Sequence, residues 1–362
     1  MTPKLHALAP FLCLVATGCG NDETSDGDAT PEEPRVVSAF DHVVISSAES
    51  AEHFQHAVAP VDFGTAPLER ATLSVSLDSP CYPFDNWTPE TIPDGHNYPL
   101  LCDGFDRTFL FSLDDPSDRD EGPPGLELVR AITPFGGPLR FDVDITDVAN
   151  GMHGDHDLHV DIQTWGDASG QVSGAEGEWI VSARVVLEPG RAPRSVLAVV
   201  PLVFGNQTDV ESAPLSFSVP EGTTSARLEY RTTGHGGADV PDDTNCIGPA
   251  EEFCQRTHTL SLDGATLAEL VPWRSDCDTL CTPSSYRSDT IALGSYCAEN
   301  PTGLPASVRA PRANWCPGSV TPPFVLENAE LAVPGDHELD IALDTLAEGG
   351  LWLQSAALCA FE

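Results

Sequence analysis

Short apolar segments that alternate with polar residues most restrict what this chain can fold into. Apolar residues occupy every second position at 73–77, 141–145, 158–162 and 339–343. A period of two is typical of a strand with one buried face. The sequence also contains 32 prolines and 30 glycines, which separate these segments. Many short strands joined by proline and glycine turns predict an all-β fold built from sandwiches or jelly rolls.

Two longer apolar runs lie near the middle of the sequence, at 179–187 and 196–204. Uninterrupted apolar runs are typical of strands buried on both faces. The segment 188–194 between them contains two prolines and one glycine. Such a break predicts the end of one domain and the start of the next. The sequence therefore predicts two domains, at 36–189 and 190–362.

The N-terminus has the pattern of a bacterial lipoprotein signal. Lys4 precedes a mostly apolar run at 5–15, which is too short to cross a bilayer as a mature helix, and small residues precede Cys19. We predict that residues 1–18 are removed, that Cys19 carries a lipid, and that the polar stretch 19–35 is a disordered tether. An ordinary secretory signal is the alternative. Both export the protein, and the lipid anchor predicts the outer membrane or cell surface, with no other membrane contact.

The charge of the chain excludes one class of partner. The formal net charge is −39, from 17 basic and 56 acidic residues. A nucleic-acid-binding protein needs cations to neutralise a row of phosphates. We therefore predict no nucleic-acid partner.

The cysteine content predicts a fold held by disulfides. Of 11 cysteines, Cys13 leaves with the signal and Cys19 is lipidated, which leaves nine in an oxidising compartment. A metal cluster is the alternative, but the absence of CxxC pairs argues against it, and we predict no metal site. Close spacing predicts an unpaired buried Cys359 and the pairs Cys81–Cys102, Cys246–Cys254, Cys277–Cys281 and Cys297–Cys316.

One hexapeptide, at 102–107, places charges where a loop enters a strand. Asp106 and Arg107 come directly before the apolar run 108–113, and Cys102 can pin the loop through a disulfide. Charged groups at the end of a strand are suited to catalysis. These residues alone favour a simpler explanation, a surface ion pair in a disulfide-held loop. A catalytic role needs support from elsewhere in the sequence.

The alternation at 158–162 predicts a polar face that continues past the strand. If the apolar residues face the core, His159, Asp161, Gln163 and Trp165 share the opposite face. An indole ring can stack on a sugar ring while amides and carboxylates bind its hydroxyl groups. This face is therefore suited to a carbohydrate. An ordinary solvated face with one exposed aromatic residue is the alternative.

Five motifs together resemble one known family. The hexapeptide is followed in order by a glycine- and proline-rich segment at 132–147, Ile-Gln-Thr-Trp at 162–165, Glu-Phe-Cys-Gln-Arg-Thr-His at 252–258 and Arg-Ala-Asn-Trp-Cys-Pro-Gly at 312–318. In this order and spacing they resemble the bacterial peptide-N-glycosidase F family. The resemblance extends from about Ala71 to the C-terminus.

The resemblance implies a fold and an activity. The family has two eight-stranded antiparallel jelly rolls side by side, with the active site between them, so we expect one jelly roll in each predicted domain. Its disulfide pattern matches Cys81–Cys102, Cys246–Cys254 and Cys297–Cys316. The family hydrolyses the amide bond between an asparagine side chain and the first N-acetylglucosamine of N-linked glycoproteins or glycopeptides. It needs no metal and no cofactor. We expect such a substrate for this chain, and a monomer.

The resemblance also implies which residues carry the chemistry. Asp106 matches the principal catalytic carboxylate, and Glu252 matches its partner, which acts through a bridging water. Arg107 and Arg312 match active-site arginines that bind a carboxylate, a sugar hydroxyl or an oxyanion. Two carboxylates in different environments can divide the acid and base roles of amide hydrolysis. The sequence does not assign those two roles.

The expected sugar-binding residues include departures from the family. Trp165 matches a sugar-contacting tryptophan, and His235 lies near a family Gly-Trp-Gly-His pattern whose tryptophan is missing here. Gln163 replaces a family glutamate, and an amide binds hydroxyl groups but cannot carry a charge or move a proton. The sequence thus predicts an N-glycan amidase. The alternative is a glycan-binding jelly-roll lipoprotein with weakened catalysis.

Overall fold

The computed structural model describes residues 33–115, 124–237, 245–287 and 292–362. These ranges contain nineteen strands, two short α-helices and four short 3₁₀ helices. The strands are β1 (Arg35–Ser46), β2 (His56–Asp62), β3 (Leu68–Asp78), β4 (Thr108–Leu113), β5 (Leu126–Ile132), β6 (Leu139–Asp144), β7 (Asp155–Ile162), β8 (Glu178–Pro189), β9 (Val196–Gln207), β10 (Leu215–Val219), β11 (Ser225–Gly236), β12 (His258–Leu262), β13 (Ala265–Leu270), β14 (Pro283–Arg287), β15 (Ala292–Cys297), β16 (Ser319–Thr321), β17 (Phe324–Leu326), β18 (Gly335–Leu343) and β19 (Gly350–Phe361). The helices are α1 (Thr146–Gly151), α2 (Pro305–Arg309) and the 3₁₀ helices Phe84–Asn86, Glu251–Phe253, Cys277–Leu280 and Ala329–Ala332.

The strands form four main antiparallel sheets. Sheet I has the order β1-β8-β3-β6, and sheet II has the order β16-β5-β4-β7-β2. Sheet III is β17-β11-β19-β9, sheet IV is β10-β18-β12-β13, and β14 and β15 form a separate hairpin. One apolar core lies between sheets I and II, and a second lies between sheets III and IV. The prediction of an all-β fold with two antiparallel sandwiches is confirmed.

Sheet II lies between sheet I and sheet III. Every residue of β4 and β5 is buried. Phe111 of β4 belongs to the core shared with sheet I. The preceding residue, Leu110, lies on the opposite face of β4 and packs against Phe204 of β9 and Leu353 of β19. The two sandwiches therefore pack through sheets II and III, and the loops at the ends of β4 and β11 meet.

The predicted two-sided burial of 179–187 and 196–204 is wrong. In β8, buried residues alternate with partly exposed ones, and β9 is mostly partly exposed. Strand β8 lies in sheet I, an outer layer with one face in the core, and β9 is the edge strand of sheet III. Strands with one buried face need no second apolar face. The two-sided burial instead occurs in β4 and β5.

The disulfides confirm two of the predicted pairs and correct the other two. Cys81–Cys102 and Cys246–Cys254 form as predicted. Cys277–Cys281 and Cys297–Cys316 do not form, because the actual pairs are Cys277–Cys316 and Cys281–Cys297. Cys359 is buried in β19 and belongs to no disulfide, as predicted.

The hairpin explains the corrected pairs. Pro283 of β14 lies opposite Cys297 of β15, so Cys281, two residues earlier, is brought next to Cys297. An antiparallel bridge between Arg274 and Arg312 brings the segments that carry Cys277 and Cys316 together. Spacing along the chain therefore gave the wrong partners, because the hairpin folds back between the cysteines.

The structure bears on two predicted boundaries, the end of the tether and the division between the domains. Arg35, the last residue of the predicted tether, is already the first residue of β1 and pairs with Asp62 at 3.1 Å, so the tether prediction is one residue too long. Strand β8 ends at Pro189 in sheet I, and β9 begins at Val196 in sheet III. The domain boundary at 189 stays a prediction, since Glu32–Glu362 forms one compact unit.

The signal and Cys19 lie outside the described residues. No helix within those residues combines the length and hydrophobicity needed to cross a membrane.

Candidate active site

The loop that carries Asp106 is fixed from several sides. The Cys81–Cys102 disulfide holds its start. The backbone N–H of Gly104 donates to Ser173 Oγ at 2.9 Å, and the backbone N–H of Arg107 donates to Thr133 Oγ1 at 2.9 Å. Strand β4 begins at the next residue. A loop held by these bonds keeps the Asp106 carboxylate at one place at the mouth of β4.

The side chain of Arg107 is held by a buried carboxylate that the sequence did not single out. Asp103 is 0% exposed and accepts hydrogen bonds from Arg107 Nε at 2.8 Å and Nη2 at 2.9 Å. The Thr164 hydroxyl donates to Asp103 at 2.7 Å, and the Trp179 indole donates at 3.1 Å. A bidentate pair with further donors is a strong arrangement. Asp103 therefore fixes the guanidinium beside Asp106.

A buried arginine connects the two predicted catalytic carboxylates. Arg312 is 1% exposed, and its Nη1 lies 2.8 Å from Glu252 Oε1 while its Nη2 lies 3.9 Å from Asp106 Oδ2. The guanidinium also lies over the rings of Phe253, at 4.8 Å, and Trp315, at 4.4 Å. These contacts fix its plane. Arg312 thus holds Asp106 and Glu252 in one cluster.

The environment raises the pKa of both carboxyls. The pKa of Asp106 is raised to about 6, chiefly by burial; the charge of Arg312 opposes this rise, the charge of Glu252 adds to it, and the charge of Arg107 opposes it. Burial also raises the pKa of Glu252, against the hydrogen bond and charge of Arg312. The Asp106 side chain is 18% exposed, so it remains accessible to a reactant. A carboxyl with a pKa near 6 can accept and return a proton near neutral pH.

The residue before Glu252 explains why Glu252 faces the cluster. Glu251 is 0% exposed and forms a bidentate pair with Arg256, at 2.8 and 2.9 Å. It also accepts from the Trp352 indole at 2.8 Å and from the backbone N–H of Ala347 at 3.0 Å. Both residues lie in the same 3₁₀ helix. Because Glu251 is anchored inward, its neighbour Glu252 is left to face Arg312.

His235 offers a neutral N–H group rather than a charge. Its Nε2 lies 2.8 Å from the Thr233 hydroxyl, which accepts a hydrogen bond from Arg130 Nη1 at 3.1 Å. A hydroxyl has one proton and two lone pairs, so Thr233 Oγ1 can donate to Nε2 or accept from it while it binds Arg130. Burial and the charges of Arg130 and Arg312 lower the pKa of His235 to about 3. The ring stacks on Trp315 with centroids 5.4 Å apart.

A cleft of about 280 Å³ brings the predicted residues together. Gln163 and Trp165 follow β7 with exposed side chains, and Trp165 is 58% exposed. Arg312 is buried and does not line the cleft, but it packs against Trp315, which does. Six of the seven predicted catalytic and sugar-binding side chains line this cleft, and its full lining is Asp106, Arg107, Thr108, Ile132, Gln163, Trp165, Asn206, His235, Gly236, Glu252, Trp315, Leu351 and Leu353. Nowhere in the described ranges do three or more histidine, cysteine or acidic side chains form a group that could hold a metal ion.

Comparison with known proteins finds similarity to one family. Residues 204–359 match the family model described as peptide-N-glycosidase F, C terminal. The peptide-N(4)-(N-acetyl-beta-D-glucosaminyl)asparagine amidase F of Elizabethkingia miricola is 27% identical over 213 residues, which are 54% of this chain and 51% of the relative. The chain is therefore similar to the peptide-N-glycosidase F family, with the family model matching fewer than half of its residues. In this match it spans about half the length of the curated relative.

Solved structures of the peptide-N-glycosidase F family share the fold. A crystal structure of a peptide-N(4)-(N-acetyl-beta-D-glucosaminyl)asparagine amidase superimposes with a TM-score of 0.64 at 18% identity, covering 91% of this chain and 96% of that one. The structure of a glycosylasparaginase from Flavobacterium meningosepticum superimposes with a TM-score of 0.60 at 19% identity and the same coverage. At these identities the similarity shows the fold.

Three residues of the site were not given roles in the sequence analysis. Asp103 and Trp315 lie inside the quoted motifs, but only their neighbours were assigned roles. Glu251 could not be told from Glu252, because two adjacent acids look alike until one is buried. A spacing of four residues favours an ion pair on a helix, but this segment is a loop, so the spacing of Asp103 from Arg107 was no signal.

Proposed function

We propose that the chain is a peptide-N-glycosidase. It hydrolyses the amide bond between an asparagine side chain and N-acetylglucosamine in N-linked glycoproteins or glycopeptides, releases the glycan and leaves aspartate. The observation that carries the proposal is the pair of raised-pKa carboxyls, Asp106 and Glu252, joined by Arg312 in a cleft with an exposed tryptophan. The name of the relative from Elizabethkingia miricola describes the same reaction.

Asp106 is suited to both proton transfers of amide hydrolysis. An amide is a poor electrophile with a poor leaving group, so water must lose a proton as it attacks and the nitrogen must gain one as it leaves. Ionised Asp106 takes the proton from water as the oxygen bonds to the amide carbon. Protonated Asp106 then gives it to the nitrogen as the carbon–nitrogen bond breaks. Glu252, held by Arg312 at 2.8 Å, orients the water.

Two arginines stabilise the negative charge that develops on the carbonyl oxygen. Arg107 follows Asp106 in the chain and lines the cleft, and Arg312 Nη2 lies 3.9 Å from Asp106 Oδ2. Each guanidinium is held by a carboxylate, Asp103 and Glu252 respectively. Because these partners fix both guanidiniums before the substrate arrives, little reorganisation is needed in the transition state. The arginines also keep Asp106 partly ionised near neutral pH, since their charges oppose the rise of its pKa.

The sugar is bound on the side of the cleft formed by three residues. Trp165 presents its exposed ring for stacking, and the Gln163 amide and the His235 imidazole can bond to hydroxyl or acetamido groups. None of the three needs to change charge during the reaction. This side of the cleft therefore suits an uncharged sugar such as N-acetylglucosamine.

The activity should rise with pH through about 6. The ionised form of Asp106 is the one that accepts the proton of water, and its pKa is raised to about 6, so kcat/KM increases as pH passes this value. The titration belongs to the coupled pair. Because the charge of Glu252 raises the pKa of Asp106, Glu252→Gln should move the rising limb to lower pH. A pH profile of glycan release measures both, and a profile that falls through pH 6 would contradict the base role.

Restoring the family's acid at Gln163 should increase turnover. A glutamate there adds a carboxylate next to the cluster that can move a proton, so Gln163→Glu should raise kcat by roughly tenfold or more. Gln163→Met, similar in size but without polar groups, is the matched control. It should weaken substrate binding and so raise KM. Release of intact glycan from a denatured glycoprotein measures both variants. A parent protein that binds glycan without releasing it, and that Gln163→Glu makes active, would instead support the glycan-binding alternative.

We also propose that the protein acts outside the cytoplasm, as a lipid-anchored monomer. The signal at 1–18 and Cys19 support export, and the four disulfides fit an oxidising compartment. Mass spectrometry of the mature N-terminus tests the anchor. A lipidated Cys19 is the expected result, and an unmodified N-terminus at another residue would contradict it.

A further inference from the structure

A second hollow, of about 780 Å³, lies outside the cleft. One wall comes from the loop between β3 and β4, with Trp87 and Tyr98. The opposite wall comes from Tyr296 of β15 and the segment 301–305 that follows the hairpin. The Cys81–Cys102 and Cys281–Cys297 disulfides fix both walls. The hollow is therefore a built feature of the fold.

The aromatic rings of the hollow are held while their polar ends stay unused. Tyr98 packs on Trp87 with centroids 5.3 Å apart, and Tyr296 packs edge-on against Phe84 at 5.2 Å. Both tyrosines are only partly buried. Among the described residues, neither phenolic hydroxyl makes a hydrogen bond. Rigid rings with unused hydroxyl groups offer both stacking and hydrogen bonding to a ligand.

The polar lining favours an uncharged, hydroxyl-rich ligand. Within the described residues, no lysine or arginine lines the hollow, so an anion has no counter-charge there. Asp94 is exposed, and the Asn97 amide is pre-positioned by two bonds of 3.1 Å to Gln171. Carboxylates and amides beside aromatic rings are the groups that bind sugar hydroxyls.

The hollow shares a loop with the proposed catalytic carboxylate. The Tyr98 ring lies 3.1 Å from where a Cβ on Gly104 would stand, and the Thr302 hydroxyl donates to the Gly104 carbonyl at 2.8 Å. Gly104 is two residues before Asp106. A ligand in the hollow therefore contacts residues that pack directly on the catalytic loop.

We propose that this hollow is a second carbohydrate-binding site. It binds a neutral oligosaccharide, namely the outer sugars of the N-glycan whose first N-acetylglucosamine occupies the cleft. The proposal rests on the proposed function, and it names the part of the substrate that lies beyond the scissile bond. Stacking on Tyr296 and Tyr98 and hydrogen bonds to Asp94 and Asn97 provide the contacts.

Calorimetric binding of two free sugars to the full-length protein tests the site without any turnover. One probe is a branched neutral N-linked-type oligosaccharide released chemically, and the other is the disaccharide of its two core N-acetylglucosamines. Tyr296→Ala should lower the affinity for the branched oligosaccharide roughly fivefold to tenfold and leave the affinity for the disaccharide unchanged. Tyr296→Phe, which keeps the ring, should lower the affinity for the branched oligosaccharide by a smaller factor.

Tyr286→Ala is the matched control. Tyr286 lies in the same hairpin and contacts the same Phe84 ring, at 5.3 Å, but does not line the hollow. It should leave both probes unchanged. Equal affinities of Tyr296→Ala and Tyr286→Ala for the long probe would overturn the second site, and the proposed function would stand if the parent still releases glycan.

Two further outcomes also decide against the second site. If Tyr296→Ala weakens a glycopeptide with a single N-acetylglucosamine but not the long oligosaccharide, the hollow binds peptide. If the parent protein binds neither sugar and releases no glycan, the second site and the proposed function are both wrong.

Discussion

Asp106→Asn should abolish glycan release, lowering kcat/KM by roughly 100- to 10,000-fold. The amide of asparagine can neither take a proton from water nor return one to the leaving nitrogen. The fold should survive, because the substitution removes a carboxylate whose pKa burial raises to about 6. A group whose pKa is higher in the folded state destabilises that state above this value. At pH 8 the variant should therefore be no less stable than the parent in chemical denaturation.

Asp114→Asn is the matched control for this result. Asp114 lies just after the other end of β4, its side chain is 45% exposed, and it adopts a positive φ of 51° that asparagine also tolerates. It should keep full activity. A fully active Asp106→Asn protein would remove Asp106 from the mechanism, whatever the behaviour of the control.

Asp103→Asn should cause the largest loss of stability, about 3–5 kcal/mol, because it leaves the guanidinium of Arg107 without its buried partner. Asp103 also accepts hydrogen bonds from Thr164 and Trp179. In asparagine, an NH2 group replaces one of the two oxygens and cannot accept these bonds. Glycan release should fall as well, since Arg107 loses its fixed position beside Asp106. Urea denaturation and the release assay measure the two effects.

Asp78→Asn is the control for the stability loss. Asp78 pairs with Arg140 at 2.8 Å, but both side chains are about half exposed, at 44% and 56%. Exposed pairs of this kind contribute less than about 1 kcal/mol. If Asp103→Asn costs no more than Asp78→Asn, the buried pair does not hold the catalytic loop as we describe.

The alternation of apolar residues was enough to predict the sheets, because a one-sided strand shows its buried face in every second residue. Leu158, Val160 and Ile162 are all 0% exposed, as that pattern requires, and Trp165 is exposed. Two-sided burial was assigned to the wrong strands. It depends on which sheets pack against each other, and only the arrangement of sheets II and III shows that β4 and β5 are covered on both faces.

The predicted disulfides show the same limit. Pairs that close a loop directly, such as Cys81–Cys102, follow from spacing. Cys281 and Cys297 are joined because a hairpin intervenes, and its register was not visible in the sequence. A spacing argument works only where no further element folds back between the two cysteines.

The motifs predicted which side chains meet, but not what holds them. Asp106, Glu252 and Arg312 come from segments far apart in sequence, and their motifs placed them in one site. The supporting contacts are buried: Asp103 binds Arg107, and Arg130 binds the Thr233 hydroxyl that contacts His235. Such roles depend on burial and hydrogen-bond geometry, which one sequence does not show.

Incubation of the purified protein with a reduced, denatured N-glycoprotein in heavy-oxygen water tests whether it hydrolyses the asparagine–sugar amide. We expect intact released glycan and, by peptide mass spectrometry, conversion of each glycosylated asparagine to an aspartate that carries one heavy oxygen atom. That label shows that water attacked the amide carbon. Release of glycan with an asparagine or a single N-acetylglucosamine left on the peptide, or no release by a folded protein across the pH range, would contradict this expectation.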